Sequence, residues 1–201
     1  MGDAMDRWAV ALGTGLTLSV GFATYATLSS AGYFLRVCTK KSRNLGVVIT
    51  GSTRGFGRAM AKEFLRYGDR VVISGRDQKS VKTVIAQLMS EHEEDISNRI
   101  FGHACDVTDC HSVTSLADAA TEHLGHVDVW INNAGVSQSV KASVDNTQPE
   151  VIRDIISTNL LGTLYGCQAA AKLMKSSEKG GHIFNVDGAG SRGGPTPHSL
   201  A

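Results

Sequence analysis

Short runs rich in β-branched and aromatic residues alternate with longer amphipathic segments from residue 46 onward. The runs are GVVIT at 46–50, DRVVISGR at 69–76, IFGHACDV at 100–107, VDVWINNAG at 127–135 and GHIFNVDG at 181–188. Their composition and length are typical of strands that are buried on both faces of a sheet. The sequence therefore predicts five strands.

The segments between these runs carry apolar residues at helical spacing. They predict helices over 58–68, 78–94 and 108–124, and one or two helices over 150–174. Strand and helix alternate about every 25 residues, which is typical of βαβ units. The predicted fold is therefore α/β, with a doubly wound parallel sheet of the Rossmann type.

The first 45 residues have a different character. No side chain from residue 8 to residue 35 carries a formal charge, and a helix of this length would be about 42 Å long, against about 30 Å for the hydrocarbon core of a bilayer. Trp8 and Tyr33 lie near its ends, and basic residues follow at 36, 40, 41 and 43. We expect residues 1–45 to be a membrane anchor and basic linker in contact with lipid. We expect residues 46–201 to be a domain that stays on the side of the membrane where the chain is synthesised. A signal peptide and a buried or interfacial segment are the alternatives.

The charge and the cysteines narrow the range of functions. The chain has 20 Lys and Arg against 19 Asp and Glu, so no nucleic acid is expected as a partner. The four cysteines have no framework spacing, which favours a reducing compartment. His103, Cys105, Cys110 and His111 are able to bind zinc, but the first pair lies on the third predicted strand and the second pair at the start of a predicted helix. Tetrahedral closure is hard to arrange there, and no metal is expected.

A glycine-rich turn follows the first predicted strand and opens the first helix. Gly51, Gly55 and Gly57 have the spacing Gly-x-x-x-Gly-x-Gly. At such a turn the backbone N–H groups and the helix dipole receive the pyrophosphate of a dinucleotide. The candidate cofactor residues in this segment are Thr50, Gly51, Ser52, Thr53, Arg54, Gly55, Phe56 and Gly57.

The end of the second predicted strand indicates which dinucleotide binds. Sites that prefer NAD usually place an acidic residue there to hold the ribose hydroxyls. This strand ends in Ser-Gly-Arg76, and the first acidic residue is Asp77. Arg76 and Arg54 suit a 2′-phosphate, because a guanidinium binds a phosphate with two parallel hydrogen bonds. We therefore predict NADPH as the cofactor. The alternative is that both arginines are solvated surface residues.

Further motifs accompany the glycine-rich turn. Asp106 and Val107 follow the third predicted strand, Asn132, Asn133, Ala134 and Gly135 follow the fourth, and Asn159 lies in the next helix. Together with Thr50, Gly51, Gly55 and Gly57, these residues make the chain over 44–191 resemble the short-chain dehydrogenase/reductase family. The resemblance implies that Asp106 accepts a hydrogen bond from the adenine amino group, with Val107 beside it. It implies that Asn159 holds a water that links a catalytic lysine to solvent, and that residues 132–135 line the cofactor and brace the sheet.

One part of the family pattern is absent from this sequence. The family carries a Tyr-x-x-x-Lys motif a dozen or so residues after its catalytic serine. Tyr165 is followed four residues later by Ala169, and none of the four tyrosines makes the motif. We expect the motif just past Ala201, so that the chain is a fragment whose sheet is incomplete at the C-terminus. A non-catalytic protein that binds NADP is an alternative.

The segment that follows the fifth predicted strand is more particular. Its first serine is Ser191, the candidate catalytic serine, and GGHIFNVDGAGS at 180–191 resembles the chlorophyll(ide) b reductases, specifically their membrane-anchored branch. This resemblance implies reduction of the 7-formyl group of chlorophyll b or chlorophyllide b by NADPH. It also implies a place in the chloroplast thylakoid membrane with the domain facing the stroma, and a homo- or hetero-oligomer with a related reductase. The alternative is a reductase of sphingoid or steroid ketones on the cytosolic face of the endoplasmic reticulum.

Overall fold

The computed structural model of the protein describes residues 44–138 and 142–187. The predicted membrane helix over 8–35 and the candidate serine Ser191 lie outside these residues. No helix within the described ranges is both long enough and apolar enough to cross a membrane.

Within these residues, five parallel strands form one sheet in the order β3-β2-β1-β4-β5. The strands are β1 (Gly46–Ile49), β2 (Arg70–Gly75), β3 (Ile100–Ala104), β4 (Val129–Asn132) and β5 (His182–Asn185). The predicted parallel α/β sheet is confirmed. The strand order reverses between β1 and β4, and ligands of such sheets bind outside the carboxyl ends of the strands at this switch point.

The connections between the strands are helical. The helices are α1 (Gly55–Arg66), α2 (Gln78–Glu91), α3 (Cys110–Leu124), α4 (Pro149–Ile155) and α5 (Gly162–Ser176). A 3₁₀ turn at Val144–Asn146 precedes α4, and a π-helical segment at Ile156–Leu161 joins α4 to α5. The predicted helix pair over 150–174 is thus a continuous helical stretch with a widened central turn.

Helix boundaries follow local capping. The side chain of Asp77 accepts hydrogen bonds from two amides in the first turn of α2, and Asp109 accepts one from His111 N. These caps satisfy N–H groups that have no partner inside the helix. The third helix therefore begins at Cys110, two residues later than predicted, because Asp109 is its cap.

The core lies on both faces of the central strands. Val47, Val48 and Ile49 of β1 are fully buried, as is Trp130 of β4. At the amino edge of the sheet, Leu45 N donates to the Asp69 carboxylate over 3.1 Å. Gly46 N donates to the Asp128 carboxylate over 2.7 Å. The start of β1 is thereby fixed, and the opposite, carboxyl edge is left to form the site.

Candidate functional site

The turn between β1 and α1 requires glycine at several positions. Gly51 and Gly55 have φ values of +61° and +54°, a region that L side chains rarely adopt. At Gly57 a Cβ atom would overlap Asn133 Nδ2 and lie 2.7 Å from the carbonyl oxygen of Gly51. The backbone of this turn therefore approaches the residues after β4 more closely than any residue other than glycine would allow.

The first turn of α1 presents its backbone N–H groups without a side-chain cap. Arg54, which precedes the helix, makes no capping hydrogen bond, and the first turn contains no acidic residue. Uncapped N–H groups and the helix dipole together favour an anion at this position.

A cleft of about 900 Å³ opens at the carboxyl edge of the sheet, beside this turn. It is bounded by the glycine-rich turn, by the ends of β2, β3 and β4, and by α4. The predicted site residues that line it are Gly51, Thr53, Arg54, Gly55, Phe56, Gly57, Arg76, Asp106, Val107, Asn133, Ala134 and Gly135.

Thr50 and Ser52, two other predicted residues, lie behind the lining and hold it in place. Thr50 Oγ1 accepts hydrogen bonds from the backbone N–H groups of Asn133 and Ala134, each with an N···O distance of 3.0 Å. The buried Ser52 hydroxyl donates to Ile49 O over 2.7 Å and accepts from Ser74 N over 2.9 Å. These hydroxyls tie the glycine-rich turn to the neighbouring strands β4 and β2.

Asn133 joins the two sides of the switch point. Its Nδ2 atom donates to Thr50 O over 2.9 Å and to Gly51 O over 3.0 Å. The same atom leaves no room for a Cβ at Gly57. The asparagine therefore fixes the distance between the glycine-rich turn and the segment after β4.

Asn132, the residue before it, lies behind the cleft among buried groups. Its Oδ1 atom accepts from Trp130 Nε1 over 2.8 Å, and its Nδ2 atom donates to Asn185 Oδ1 over 2.9 Å. The contacts of Asn132 thus join β4 to β5.

Asn159 lies in the π-helical segment and binds the segment that follows β4. Its Oδ1 atom accepts from Val136 N, and its Nδ2 atom donates to Val136 O, each over 2.9 Å. Val136 lines the cleft. The paired hydrogen bonds hold the cleft wall against the helical stretch, and π-helical turns are frequent at functional sites.

Two arginines line the cleft, Arg54 before α1 and Arg76 at the end of β2. Arg54 and Arg76 are exposed, and within the described part of the chain neither forms an ion pair. The Asp77 carboxylate, in contrast, accepts from Ser80 Oγ over 2.6 Å and from Ser80 N over 2.8 Å. Hydrogen bonds from the hydroxyl and amide of Ser80, and from the amide of Lys79, hold the pKa of Asp77 below its usual value. The acidic residue is therefore engaged as a helix cap.

The end of β3 contributes a carboxylate and a thiol. Asp106 accepts from the backbone N–H and the hydroxyl of Thr108, over 3.0 and 2.8 Å. Burial raises the pKa of the Cys105 thiol to about 11. At neutral pH this thiol is protonated, so it is a weak nucleophile.

Sequence reasoning missed several residues of the lining. Those at the ends of β2 and β3 follow predicted strands, so their position in the chain could have identified them. Those on α4 gave no such signal, because the packing of α4 beside the sheet is a tertiary feature. The missed residues are Gly75, Asp77, Ser80, Cys105, Thr108, Val136, Ser137, Val151, Asp154, Ile155 and Thr158.

Comparison with known proteins gives chlorophyll(ide) b reductases and, at lower identity, dehydrogenases with other names. Chlorophyll(ide) b reductase NOL, chloroplastic, of Oryza sativa subsp. japonica is 42% identical over 155 residues, which are 77% of this chain and 44% of that protein. The protein of the same name from Arabidopsis thaliana is 38% identical over 178 residues, which are 87% of this chain and 50% of that protein. The chain thus spans half the length of these relatives or less.

A solved structure has the same architecture. The short chain dehydrogenase/reductase of Burkholderia phymatum, in complex with NAD, superposes with a TM-score of 0.65 at 26% identity. The match covers 73% of this chain and 50% of that one. The sequence profile of the short chain dehydrogenases matches residues 46–196. With this profile match, the strand order and the glycine-rich turn in agreement, the chain belongs to the short chain dehydrogenase family.

Proposed function

We propose that the chain is the cofactor-binding part of a reductase that uses NADPH to convert the 7-formyl group of chlorophyll b or chlorophyllide b to a 7-hydroxymethyl group. The observation that carries the proposal is the 42% identity over 155 residues to a relative named chlorophyll(ide) b reductase. Because the chain spans only part of that relative, the activity is assigned to the full-length protein.

The first turn of α1 fits the pyrophosphate of a dinucleotide. Its N–H groups lack a side-chain cap, and a Cβ at Gly55 would have no protein atom within 4 Å, so the backbone there is open to a ligand. A pyrophosphate would accept hydrogen bonds from these N–H groups and gain from the helix dipole. Gly51, Ser52, Thr53, Gly55 and Phe56 supply the rest of the turn, with Thr50 bracing it from behind.

Arg76 and Arg54 favour NADPH over NADH. Both guanidinium groups line the cleft and are available to a 2′-phosphate, which carries a double negative charge. An NAD site would need a carboxylate free to accept from the ribose hydroxyls. Asp77 stands next to Arg76 but caps α2 with both of its oxygen atoms. The end of β2 therefore offers positive charge to the ribose.

The remaining contacts follow the edge of the sheet. Asp106 would accept a hydrogen bond from the adenine amino group, with Val107 beside it. The segment from Asn133 to Gly135 would line the cofactor, and Asn132 would brace the sheet behind it. Asn159 would hold a water that links the catalytic lysine to solvent.

The chemistry requires proton donors beside the formyl oxygen. When bound, the cofactor supplies a hydride to the formyl carbon. The oxygen then develops negative charge, and a preorganised donor stabilises it. Ser191 donates one hydrogen bond to this oxygen. In the full-length protein, a tyrosine of the family's Tyr-x-x-x-Lys motif would deliver the proton, because a neighbouring lysine lowers its pKa.

The substrate explains a membrane anchor at residues 1–45. Chlorophyll b is held in membranes by a long apolar tail, so a reductase tethered to the thylakoid membrane, facing the stroma, meets it directly. Both plant relatives carry the word chloroplastic in their names.

An exposed apolar stripe lies on the helical stretch after α4. Ile156, Leu160 and Leu164 recur every four residues and are 47%, 51% and 54% exposed. Such an apolar stripe favours association with lipid or with a related reductase.

The test is pigment reduction by the full-length protein with NADPH, followed by absorbance and chromatography. We expect a 7-hydroxymethyl product, and Ser191→Ala should lower kcat by about 10²–10³-fold, as for one donor to a developing oxyanion. Asp187→Asn is the matched control in the same segment and should retain turnover. Reduction of a ketosphingoid or a steroid ketone, with no reduction of any formyl pigment, would overturn the proposal.

A further inference from the structure

The end of β5 is held by a small network of polar side chains. Asn132 and Asn185 are paired in register as the last residues of β4 and β5. Their amides meet over 2.9 Å, from Asn132 Nδ2 to Asn185 Oδ1. Cys167 of α5 lies beside both, with its Sγ atom 3.4 Å from Asn132 Nδ2 and 3.5 Å from Asn185 Oδ1. We call Trp130, Asn132, Cys167 and Asn185 the β5 clamp.

The direction of each hydrogen bond in the β5 clamp is determined by the indole. Trp130 Nε1 has only a proton to give, so the atom that it contacts 2.8 Å away must be Asn132 Oδ1. Asn132 then turns its Nδ2 atom toward Asn185. Asn185 must in turn present Oδ1, which accepts from both Asn132 and the Cys167 thiol. The orientation of an exposed amide at the end of β5 is therefore set by a buried tryptophan.

The buried members of the β5 clamp have no other arrangement. Trp130 is fully buried and Asn132 is 4% exposed, so rotation of the Asn132 amide group would leave buried polar atoms without partners. Gly166 of α5 packs directly on Asn132, and a Cβ at that position would overlap Asn132 Oδ1. Helix α5 therefore closes the space into which Asn132 could move.

The backbone of Asn132 holds the next residue as well. Val186 N donates to Asn132 O over 2.9 Å. One residue of β4 thus binds two successive residues of the departing chain, Asn185 through its side chain and Val186 through its backbone. Two contacts at adjacent residues fix both the position and the direction of the chain.

We infer that Asn185 is a positioning residue, which the β5 clamp uses to set the direction in which the chain leaves β5. The inference rests on the proposed function, because the residues that follow carry Ser191. A displacement of about 1 Å at a reacting group costs about 10²-fold in rate. Asn185 does not line the described cleft, so the effect falls on turnover rather than on cofactor binding.

The experiment compares Asn185→Ala with Asn185→Asp in the full-length protein. The aspartate keeps an acceptor for Asn132 and Cys167, whereas the alanine removes it. We expect Asn185→Ala to lower kcat about 10-fold or more with KM for NADPH unchanged, and Asn185→Asp to restore most of the rate. Because Asn185 is exposed, the melting temperature of both variants should stay near that of the wild type.

A second readout does not depend on activity. Hydrogen exchange of the Val186 amide should become about tenfold faster in Asn185→Ala and stay slow in Asn185→Asp, because local opening sets this rate. Unchanged exchange in the alanine variant, or an equal loss of kcat in both variants, would overturn the inference. If the wild type reduces no formyl pigment, the proposed function fails, and the exchange rates still decide whether the β5 clamp exists.

Discussion

Replacing Arg76 with alanine should weaken NADPH binding far more than NADH binding. The two cofactors differ only by the 2′-phosphate on the adenosine ribose. Arg76 lines the cleft at the end of β2, and no described residue pairs with its guanidinium. A 2′-phosphate would therefore meet a guanidinium that forms no ion pair with a carboxylate among the described residues.

The magnitude follows from the loss of one charge-assisted contact. Hydrogen bonds to charged groups contribute about 1.5–3 kcal/mol, and those between two ions are at the stronger end. This corresponds to a rise in Kd for NADPH of about 10- to 150-fold. The Kd for NADH should change less than about threefold, since no contact to its ribose hydroxyls is assigned to Arg76. The advantage of NADPH in the wild type should also shrink at high salt, because Arg76 is exposed and its charge is screened.

Isothermal titration of both cofactors against wild type and Arg76→Ala measures the two constants directly. Arg153→Ala is the matched control, since Arg153 is an exposed arginine of α4 that does not line the cleft. It should leave both constants unchanged. Equal weakening of NADPH and NADH in Arg76→Ala would refute the assignment of Arg76 to the phosphate.

Three further outcomes are expected. Gly57→Ala should lower the free energy of unfolding, measured in urea, by about 1–3 kcal/mol through overpacking. Gly135→Ala, whose Cβ would have only ordinary contacts, should not lower it, and equal losses in the two variants would contradict the close approach of Gly57 to Asn133. Iodoacetamide at pH 8, followed by mass spectrometry, should show labelling of the exposed Cys110 and none of Cys105. Cys105 is 3% exposed, and its pKa of about 11 leaves the thiol protonated. Fast labelling of Cys105 in the native protein would contradict its burial. Removing residues 1–45 should release the folded domain from membranes, and carbonate-resistant association of the shortened protein would contradict the assignment of the anchor to these residues.

Strand positions were predictable because each strand leaves a local signal. A buried parallel strand needs apolar residues on both faces, and residues 47–49 and 129–131 within the predicted runs meet that need directly. Helix ends were less predictable. The second helix stops at Glu91 rather than at residue 94, and Ile96 in the following turn is 1% exposed. The chain must leave the helical path for this side chain to enter the core, a tertiary demand that periodicity does not show.

The widened turn between α4 and α5 could not be predicted from the sequence either. A π-helical segment shifts the helical register by one residue, and apolar spacing over 150–174 is compatible with one helix or two. What stabilises the segment is the pair of hydrogen bonds between Asn159 and Val136, which lie 23 residues apart in the chain. Contacts at this separation depend on the position of α4 beside the sheet, as does the part of the cleft that α4 lines.

The two adjacent asparagines at the end of β4 show why a motif predicts a site better than it predicts roles. Successive residues of a strand point to opposite faces of the sheet. Asn133 therefore contacts the glycine-rich turn through Thr50 O and Gly51 O, whereas Asn132 contacts Trp130 and Asn185 on the other face. One asparagine fixes the wall of the cleft and the other fixes the exit of β5. Because β4 lies between β1 and β5, this pair of asparagines connects the cofactor side of the sheet to the segment that carries the proposed catalytic serine. The effect of Asn133 on the wall of the cleft and the effect of Asn132 on the exit of β5 should be separable by substitution at either position.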